Sequence, residues 1–243
     1  MSGERRTTAI VVGASGGVGN AVALALQEAG IKVHGLDLRP SGDGIQNSHI
    51  VDVTDAVALT RVVDGIARQG GIDHLVYCVG YQVATRAFGV LTPDAWRRMI
   101  AANLDGAFYA VNACLPHFTG APSDVILLSS VSAMWPDQSG GAYQAAKAGI
   151  VALARAIGVE DRDRRIRASV LMPGLIDTPL LDLRPNPPSP EIRAAALRPS
   201  DIADVCRWLI QLPQRVHVPE LTILPTGLQA IGDSIEARLP ETR

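Results

Sequence analysis

The chain has 243 residues, of which 47% are hydrophobic and 19% are charged, the composition of a globular protein with a sizeable core. Its formal net charge of -2 argues against a nucleic-acid-binding protein, because such proteins normally carry a net basic surface. The sequence contains no run of about 18 apolar residues, so we expect no membrane span.

The three cysteines, Cys78, Cys114 and Cys206, are far apart and form no CxxC pair. An odd number of isolated cysteines favours buried thiols in a reducing compartment over a disulfide framework or a zinc site. The first residues lack the apolar segment of a signal peptide. We therefore expect a cytoplasmic protein with no metal ion.

Short β-branched apolar segments alternate with helical patterns along the whole chain. Strands that read as nearly continuous apolar runs are typical of a parallel sheet covered by helices on both faces. The alternation predicts one doubly wound, Rossmann-like α/β domain over residues 1–243, with about seven strands and no linker. The predicted strands are 8–13, 31–37, 49–53, 72–80, 124–130, 166–172 and 221–224, and the predicted helices are 17–30, 55–69, 92–118, 141–160 and 199–211.

A glycine-rich turn connects the first predicted strand to the first predicted helix. Glycines let the backbone approach a pyrophosphate, and the start of a helix offers N–H donors and the positive end of its dipole. The turn therefore predicts a dinucleotide site held by Gly13, Ser15, Gly16, Gly17, Val18 and Gly19.

The same turn formally matches the G-x-S-x-G elbow that carries the nucleophile of some hydrolases. That elbow requires an acid and then a histidine at later strand ends. His34 and His49 come too early, and His217 lies in a polar, proline-flanked loop. The dinucleotide interpretation is therefore favoured.

Asp37 ends the second predicted strand, 18 positions after Gly19, close to the spacing at which an acid contacts the ribose hydroxyls. A carboxylate accepts hydrogen bonds from a 2′-hydroxyl and repels a 2′-phosphate, so NAD is favoured over NADP. Arg39 partly offsets this repulsion, and Leu38 and Arg39 are predicted to contact the same ribose.

Tyr143 and Lys147 are spaced i, i+4 and share one face of a predicted helix. A free tyrosine, with a pKa near 10, is a poor base at neutral pH, and a neighbouring ammonium group favours its phenolate. By itself, however, a YxxxK pattern is common.

The surrounding motifs resemble the short-chain dehydrogenase/reductase superfamily over essentially the whole chain. The turn reads GxxxGxG, Ser130 lies twelve intervening residues before Tyr143, and Asn103 begins an NxxGxF-like segment. Residues 173–178 match the family's PGxxxT segment. Five motifs in this order are jointly specific, and they imply an NAD(P)-dependent oxidoreductase.

The resemblance also implies roles for individual residues. Ser130 would hold the substrate oxygen, Tyr143 would transfer the proton, and Lys147 would bind the nicotinamide ribose and lower the pKa of Tyr143. Asn103 would hold a water that links Lys147 to solvent. Further cofactor contacts are expected from Asp52 and Val53 at the adenine, from Cys78, Val79 and Gly80 after the fourth strand, and from Pro173, Gly174, Ile176 and Thr178 at the nicotinamide.

Two positions depart from the family pattern. The family's NNAG is here Tyr77-Cys78-Val79-Gly80, which loses an asparagine, and Val12 replaces a threonine before the glycine turn. Cys78 is expected to be a small packing residue. Neither change touches the four catalytic positions.

The substrate pocket is predicted to be largely apolar. No arginine or lysine obviously clamps an anion, although the region of Arg184 and Arg193 could swing in. We therefore expect a neutral cyclic or aryl-bearing secondary alcohol or ketone, covered by a proline-rich substrate loop at 180–199. The predicted contacts are Ser130, Ser132, Trp135, Gln138, Tyr143, Leu175 and Leu180.

Two other functions are compatible with these motifs. A 3-oxoacyl thioester reductase would prefer NADPH, which Asp37 opposes. A catalytically inactive dinucleotide sensor would have no need of the complete set of catalytic residues. In the resembling family the helices predicted at 92–118 and 141–160 build a dimer or tetramer interface, so a homo-oligomer is expected.

Overall fold

The computed structural model describes residues 7–42, 44–119 and 123–228. Its strands alternate with helices along the chain. The strands are β1 (Thr8–Val12), β2 (Lys32–Asp37), β3 (Asn47–Ile50), β4 (His74–Tyr77), β5 (Ser123–Leu128), β6 (Ile166–Pro173) and β7 (Glu220–Ile223). The α-helices are α1 (Gly17–Glu28), α2 (Ala56–Ala67), α3 (Pro93–Ile100), α4 (Gly106–Cys114), α5 (Gly141–Glu160), α6 (Pro190–Ala195) and α7 (Pro199–Gln211).

The strands form one parallel sheet in the order β3-β2-β1-β4-β5-β6-β7. The strand order reverses between β1 and β4, so the connections that follow these two strands leave in opposite directions. In such sheets ligands bind in the crevice at the carboxyl ends of the strands beside this reversal. The Rossmann-like doubly wound fold predicted from the sequence is confirmed.

The core lies on both faces of the sheet because alternate residues of each strand point to opposite sides. In β1, Ile10 and Val12 join a cluster with apolar residues of α2, α4 and α5. Ala9 and Val11 join a second cluster with α1 and α7. Every residue of β1, β4, β5 and β6 is buried, which explains why these strands read as apolar runs.

The helix predicted over 92–118 is not continuous. Thr92 caps α3, and a π-helical turn at Ala101–Asp105 then separates α3 from α4. The Tyr77 hydroxyl donates to the carbonyl of Ala102 inside this turn. Single π turns inside helices are often found at functional sites, and this one carries Asn103.

Other elements also differ from the sequence prediction, mostly in their bounds. The strand expected at 49–53 lies at Asn47–Ile50, and that expected at 72–80 covers only His74–Tyr77. The substrate loop predicted at 180–199 contains a 3₁₀ turn at Pro179–Leu183 and the short helix α6. In the part of the chain that the structure describes, no helix has both the length and the apolar character to cross a membrane.

Candidate active site

The glycine-rich turn lies at the carboxyl end of β1 and leads directly into α1. The Gly13 and Ala14 amides donate to the carbonyl of Leu36, which ties the turn to β2. The first turn of α1 has no side-chain cap and no acidic residue. The positive end of this helix is therefore left for an external anion.

Two glycines of the turn leave no room for a side chain. A Cβ at Gly19 would lie 2.0 Å from the carbonyl oxygen of Gly13. Gly13 has a φ of +86°, and its Cβ would lie 3.0 Å from the Val79 amide nitrogen. The backbone thus forms a bare cradle before the helix, which fits the pyrophosphate of a dinucleotide.

Asp37 ends β2 beside this cradle. Its carboxylate accepts hydrogen bonds from the amides of Ser15 at 3.0 Å and Arg39 at 3.3 Å. These bonds fix the carboxylate next to the turn. Leu38 and Arg39 are exposed, and the Arg39 guanidinium donates to the Ser15 hydroxyl at 3.4 Å.

The two residues expected at the adenine differ in their surroundings. Asp52 is exposed, and its carboxylate accepts from the amide and hydroxyl of Thr54 at 2.8 Å and 2.7 Å. The Val53 side chain is buried in the core and packs where Gly106 lacks a side chain. Packing therefore accounts for the Val53 side chain, and the adenine contact stays a prediction.

Lys147 is buried on α5, with 2% of its surface exposed. Its ammonium group donates to the carbonyl oxygens of Leu128 at 2.9 Å and Val79 at 3.2 Å, and lies 5.6 Å from the centre of the Tyr143 ring. The carbonyls come from the ends of β5 and the segment after β4. The fold therefore anchors Lys147 to the central strands and holds it beside Tyr143.

Burial disfavours the charged form of both groups, so it shifts their pKa values in opposite directions. Burial, followed by the charge of Asp137, raises the pKa of Tyr143 to about 12, while a hydrogen bond from Ser130 opposes the shift. Burial also lowers the pKa of Lys147 to about 8. The expected lowering of the Tyr143 pKa by Lys147 stays a prediction.

Ser130 follows β5 in an extended conformation and accepts a hydrogen bond from the Ser132 amide at 3.2 Å. Its hydroxyl also donates to the Ser132 hydroxyl at 3.1 Å. Ser132 in turn donates to the carboxylate of Asp137, which also accepts from the amide and hydroxyl of Ser139. This network orients Ser130 toward Tyr143.

Asn103 is fully buried in the π turn and does not line the cavity. Its side-chain amide donates to the carbonyls of Tyr81 and Met99, both at 2.8 Å, and its side-chain oxygen accepts from the Tyr81 amide at 3.0 Å. Both amide hydrogens are therefore used within the protein. Asn103 holds the segment after β4 in place, and the water relay stays a prediction.

One cavity joins these elements at the carboxyl edge of the sheet. It brings together most of the predicted site residues: Val18, Cys78, Val79, Gly80, Ser130, Ser132, Tyr143, Lys147, Pro173, Gly174, Leu175, Ile176, Thr178 and Leu180. Burial raises the pKa of the Cys78 thiol to about 12, in keeping with a packing role.

Two predicted substrate contacts do not line the cavity. Trp135 is half-buried and Gln138 is exposed, and their contact with a substrate stays a prediction. The sequence analysis missed Arg86 and Ser139, which line the cavity together with Arg184. The sequence analysis found no obvious anion clamp but left the region of Arg184 able to swing in, and Arg184 lines the cavity.

The position of Arg86 offered a usable signal. It lies in the connection after β4, at the carboxyl edge beside the strand-order reversal, where ligand-binding residues concentrate. Arg193, by contrast, pairs with Asp177 and Asp182 and does not line the cavity.

The short chain dehydrogenase family model matches residues 7–187. The chain belongs to this family. An uncharacterized oxidoreductase of Staphylococcus saprophyticus is 29% identical over 231 residues, which cover 89% of this chain and 96% of the relative. A second uncharacterized oxidoreductase, from Staphylococcus haemolyticus, is also 29% identical over the same share of each chain. The chain is thus an oxidoreductase of the short-chain dehydrogenase type.

Solved structures agree with the fold. Ligand-free aldohexose dehydrogenase of Thermoplasma acidophilum is 23% identical, and the match covers 98% of this chain and 97% of that protein with a TM-score of 0.83. Carveol dehydrogenase of Mycobacterium avium, solved with NAD, is 24% identical, and the match covers 90% of this chain and 96% of that protein with a TM-score of 0.81. An alcohol dehydrogenase of Thermococcus sibiricus, solved with 5-hydroxy-NADP, is 25% identical, and the match covers 91% of this chain and 97% of that protein with a TM-score of 0.78.

Proposed function

We propose that this chain is an NAD(H)-dependent oxidoreductase that interconverts a secondary alcohol and a ketone, with Tyr143 as the general acid and base. The observation that carries the proposal is the convergence of Ser130, Tyr143 and Lys147 on one cavity beside the bare glycine turn. A proton donor, an orienting hydroxyl and a dinucleotide cradle are the parts that carbonyl reduction needs.

Each of these side chains has a separate role in the proposed reaction. Ser130 turns its hydroxyl hydrogen from Ser132 to the substrate oxygen and holds that oxygen next to the Tyr143 hydroxyl. Tyr143 gives its proton to that oxygen in reduction and removes it in oxidation. A dinucleotide held at the glycine turn would supply or accept the hydride at the carbonyl carbon. The cationic Lys147 favours the phenolate form of Tyr143, since an opposite charge stabilises the charged form.

Asp37 supports NAD as the preferred cofactor. Its carboxylate is fixed beside the turn by the amides of Ser15 and Arg39, where it would repel a 2′-phosphate. Replacing Asp37 with Ala is expected to lower the NAD/NADP ratio of kcat/KM by about tenfold or more, because a charge-assisted hydrogen bond of about 1.5–3 kcal/mol is lost. An unchanged ratio would show that another residue selects the cofactor.

The proton-transfer role is tested by Tyr143→Phe. We expect kcat to fall by about 10²–10⁴-fold while NADH binding, followed by fluorescence, stays within a few-fold of wild type. Tyr109→Phe, a tyrosine on α4 that does not line the cavity, is the matched control and should keep wild-type turnover. Near wild-type rates for Tyr143→Phe would refute the assignment.

A panel of alcohols and ketones, followed by absorbance of the reduced nicotinamide, tests the activity itself. Complete absence of turnover by the wild type, with NAD binding intact, would contradict the enzyme and favour the dinucleotide sensor. A strong preference for NADPH with 3-oxoacyl thioesters would favour the thioester reductase instead.

The same proposal includes a homo-oligomer in the cytoplasm. Phe108 on α4 and Trp96 on α3 are exposed aromatic side chains, and burial in a subunit interface would remove them from water. The three cysteines are free thiols, which suits a reducing compartment. Light scattering of the purified chain measures the assembly, and a monomer would overturn this part of the proposal.

A further inference from the structure

Two arginine side chains lie at the cavity near Tyr143. Arg86 is 6% exposed, donates to the carbonyl of Leu183, and leaves its Nε buried with no hydrogen-bond partner. Arg184 is half-buried, and its Nη1 is likewise buried and unpaired. Within residues 7–42, 44–119 and 123–228, neither guanidinium forms an ion pair with a carboxylate.

Unpaired guanidinium donors are unfavourable in a protein interior. Buried polar groups are nearly always hydrogen-bonded, and a buried charge normally has a partner. Burial lowers the pKa of both arginines, and a neighbouring positive charge lowers it further, that of Arg184 for Arg86 and that of Arg193 for Arg184. An arginine that has buried, unpaired donors at a cavity can form the missing hydrogen bonds with an anion that enters the cavity.

Asp137 is the acid whose charge acts on both arginines, but its oxygens are engaged elsewhere. They accept three side-chain and backbone hydrogen bonds, from Ser132 and Ser139. Asp137 therefore offsets about one of the two positive charges at a distance without pairing with either arginine. Among the described residues that line the cavity there is no Asp or Glu.

We propose that Arg86 and Arg184 bind a carboxylate of the substrate, so that the enzyme interconverts a small oxo acid and its hydroxy acid. The inference rests on the proposed function. In reduction the ketone carbon accepts a hydride, its oxygen accepts the Tyr143 proton, and NADH is oxidised to NAD. The carboxylate is chemically unchanged and serves only to bind and orient the substrate.

A carboxylate fits better than a phosphate ester. The two arginines less Asp137 leave about one positive charge, which a single negative charge balances, whereas a phosphate brings nearly two. Planar guanidinium groups also match the two oxygens of a carboxylate. Because Arg86 already contacts Leu183, an anion held between Arg86 and Arg184 would draw the substrate loop toward Tyr143.

The test compares acids with their neutral methyl esters. Pyruvate, 3-oxobutanoate and 4-oxopentanoate are assayed with NADH beside the three esters, and dihydroxyacetone phosphate is assayed beside dihydroxyacetone. We expect at least one oxo acid to exceed its ester in kcat/KM by about 30-fold or more, the value of one charge-assisted bidentate contact. Arg184→Gln should remove most of that preference, because it should lower kcat/KM for the acid far more than kcat/KM for the ester, chiefly by raising KM for the acid.

Arg193→Gln is the matched control, because Arg193 lies on the same loop side but pairs with Asp177 and Asp182. It should keep the acid preference. Calorimetry with 3-oxobutanoate and its methyl ester on the complex with oxidised NAD, which cannot give a hydride to a ketone, is a readout that needs no turnover. Loss of turnover with retained acid binding would count against the proposed function alone. Equal affinity for acid and ester, or a preference for the phosphate, would overturn the carboxylate site.

Discussion

Arg167 lies at the amino-terminal edge of the sheet and Arg86 at the carboxyl-terminal edge, and both are buried. The Arg167 Nε donates to the Asp124 carboxylate at 2.7 Å, and Asp124 also contacts His74 at 2.9 Å. The remaining guanidinium donors of Arg167 are taken by backbone carbonyls at the end of α7 and in the segment after it, at Leu209, Ile210, Leu212, Pro213 and Val216.

Arg86 has much less support. One of its nitrogens donates to Leu183, another is unpaired, and no carboxylate pairs with it among the described residues. The difference separates a structural edge, where the buried arginine has an ion pair and several hydrogen bonds, from a functional edge, where it does not. Functional sites commonly retain such locally unfavourable arrangements, and the rest of the fold supplies the stability that tolerates them.

Replacing Arg167 with Met should produce the largest loss of stability. The substitution leaves the Asp124 carboxylate buried without its cation and several carbonyls without a donor. We expect the free energy of unfolding to fall by about 3–5 kcal/mol, measured by urea denaturation. Arg155→Met is the control, because Arg155 makes an exposed pair with Glu220. A loss below about 1 kcal/mol would contradict the view of this edge as the structural one.

At neutral pH the buried ammonium group of Lys147 should lower the stability of the fold, whereas the paired Arg167 raises it. Its pKa in the folded chain is lowered to about 8 from 10.5 by burial. Between these values the unfolded chain binds a proton that the folded chain does not, so stability rises with pH across this window. Below about pH 8 both states are protonated, and the burial penalty is present in full.

Comparison with Lys147→Met isolates this effect. From pH 7 to pH 10 the wild type should gain on the order of 2–3 kcal/mol of unfolding free energy relative to the variant. Thermal or urea unfolding at a series of pH values measures the difference. A difference that stays constant, or that changes with the other sign, would mean that Lys147 is not held in an unfavourable charged state.

Arg86→Met should change stability far less than Arg167→Met, although both remove a buried arginine. The methionine keeps the apolar stem beside Gly140 and removes an unpaired donor. We expect the free energy of unfolding to change by less than about 1 kcal/mol or to increase. A loss as large as that of Arg167→Met would show that Arg86 stabilises the fold and would weaken the contrast between the two edges.

Parts of the functional edge differ in how far the sequence predicts them. The parallel sheet and the glycine turn follow from local apolar runs and glycine spacing, and the roles of Tyr143 and Lys147 follow from the resemblance to the family's motifs. Arg86 and Asp137 carry no comparable local pattern. They approach Tyr143 because separate connections meet at one end of the sheet, which depends on tertiary structure. The π turn at Asn103 likewise arises from a contact with Tyr77 on another strand.

Asp137 allows the smallest and most specific test of the functional edge. Its charge, after burial, raises the pKa of Tyr143, whereas Arg184 and Arg86 oppose this shift. Asp137→Asn keeps a similar shape and removes the charge, so the phenolate should form more readily. In the oxidation direction, the rise of kcat with pH should move to lower pH by up to about one unit. Asp94→Asn, on the exposed face of α3, should leave the profile unchanged. A shift of the Asp137→Asn profile to higher pH would mean that the carboxylate assists proton transfer. The charge balance inferred for Arg86 and Arg184, in which Asp137 offsets about one positive charge, would then have to be revised.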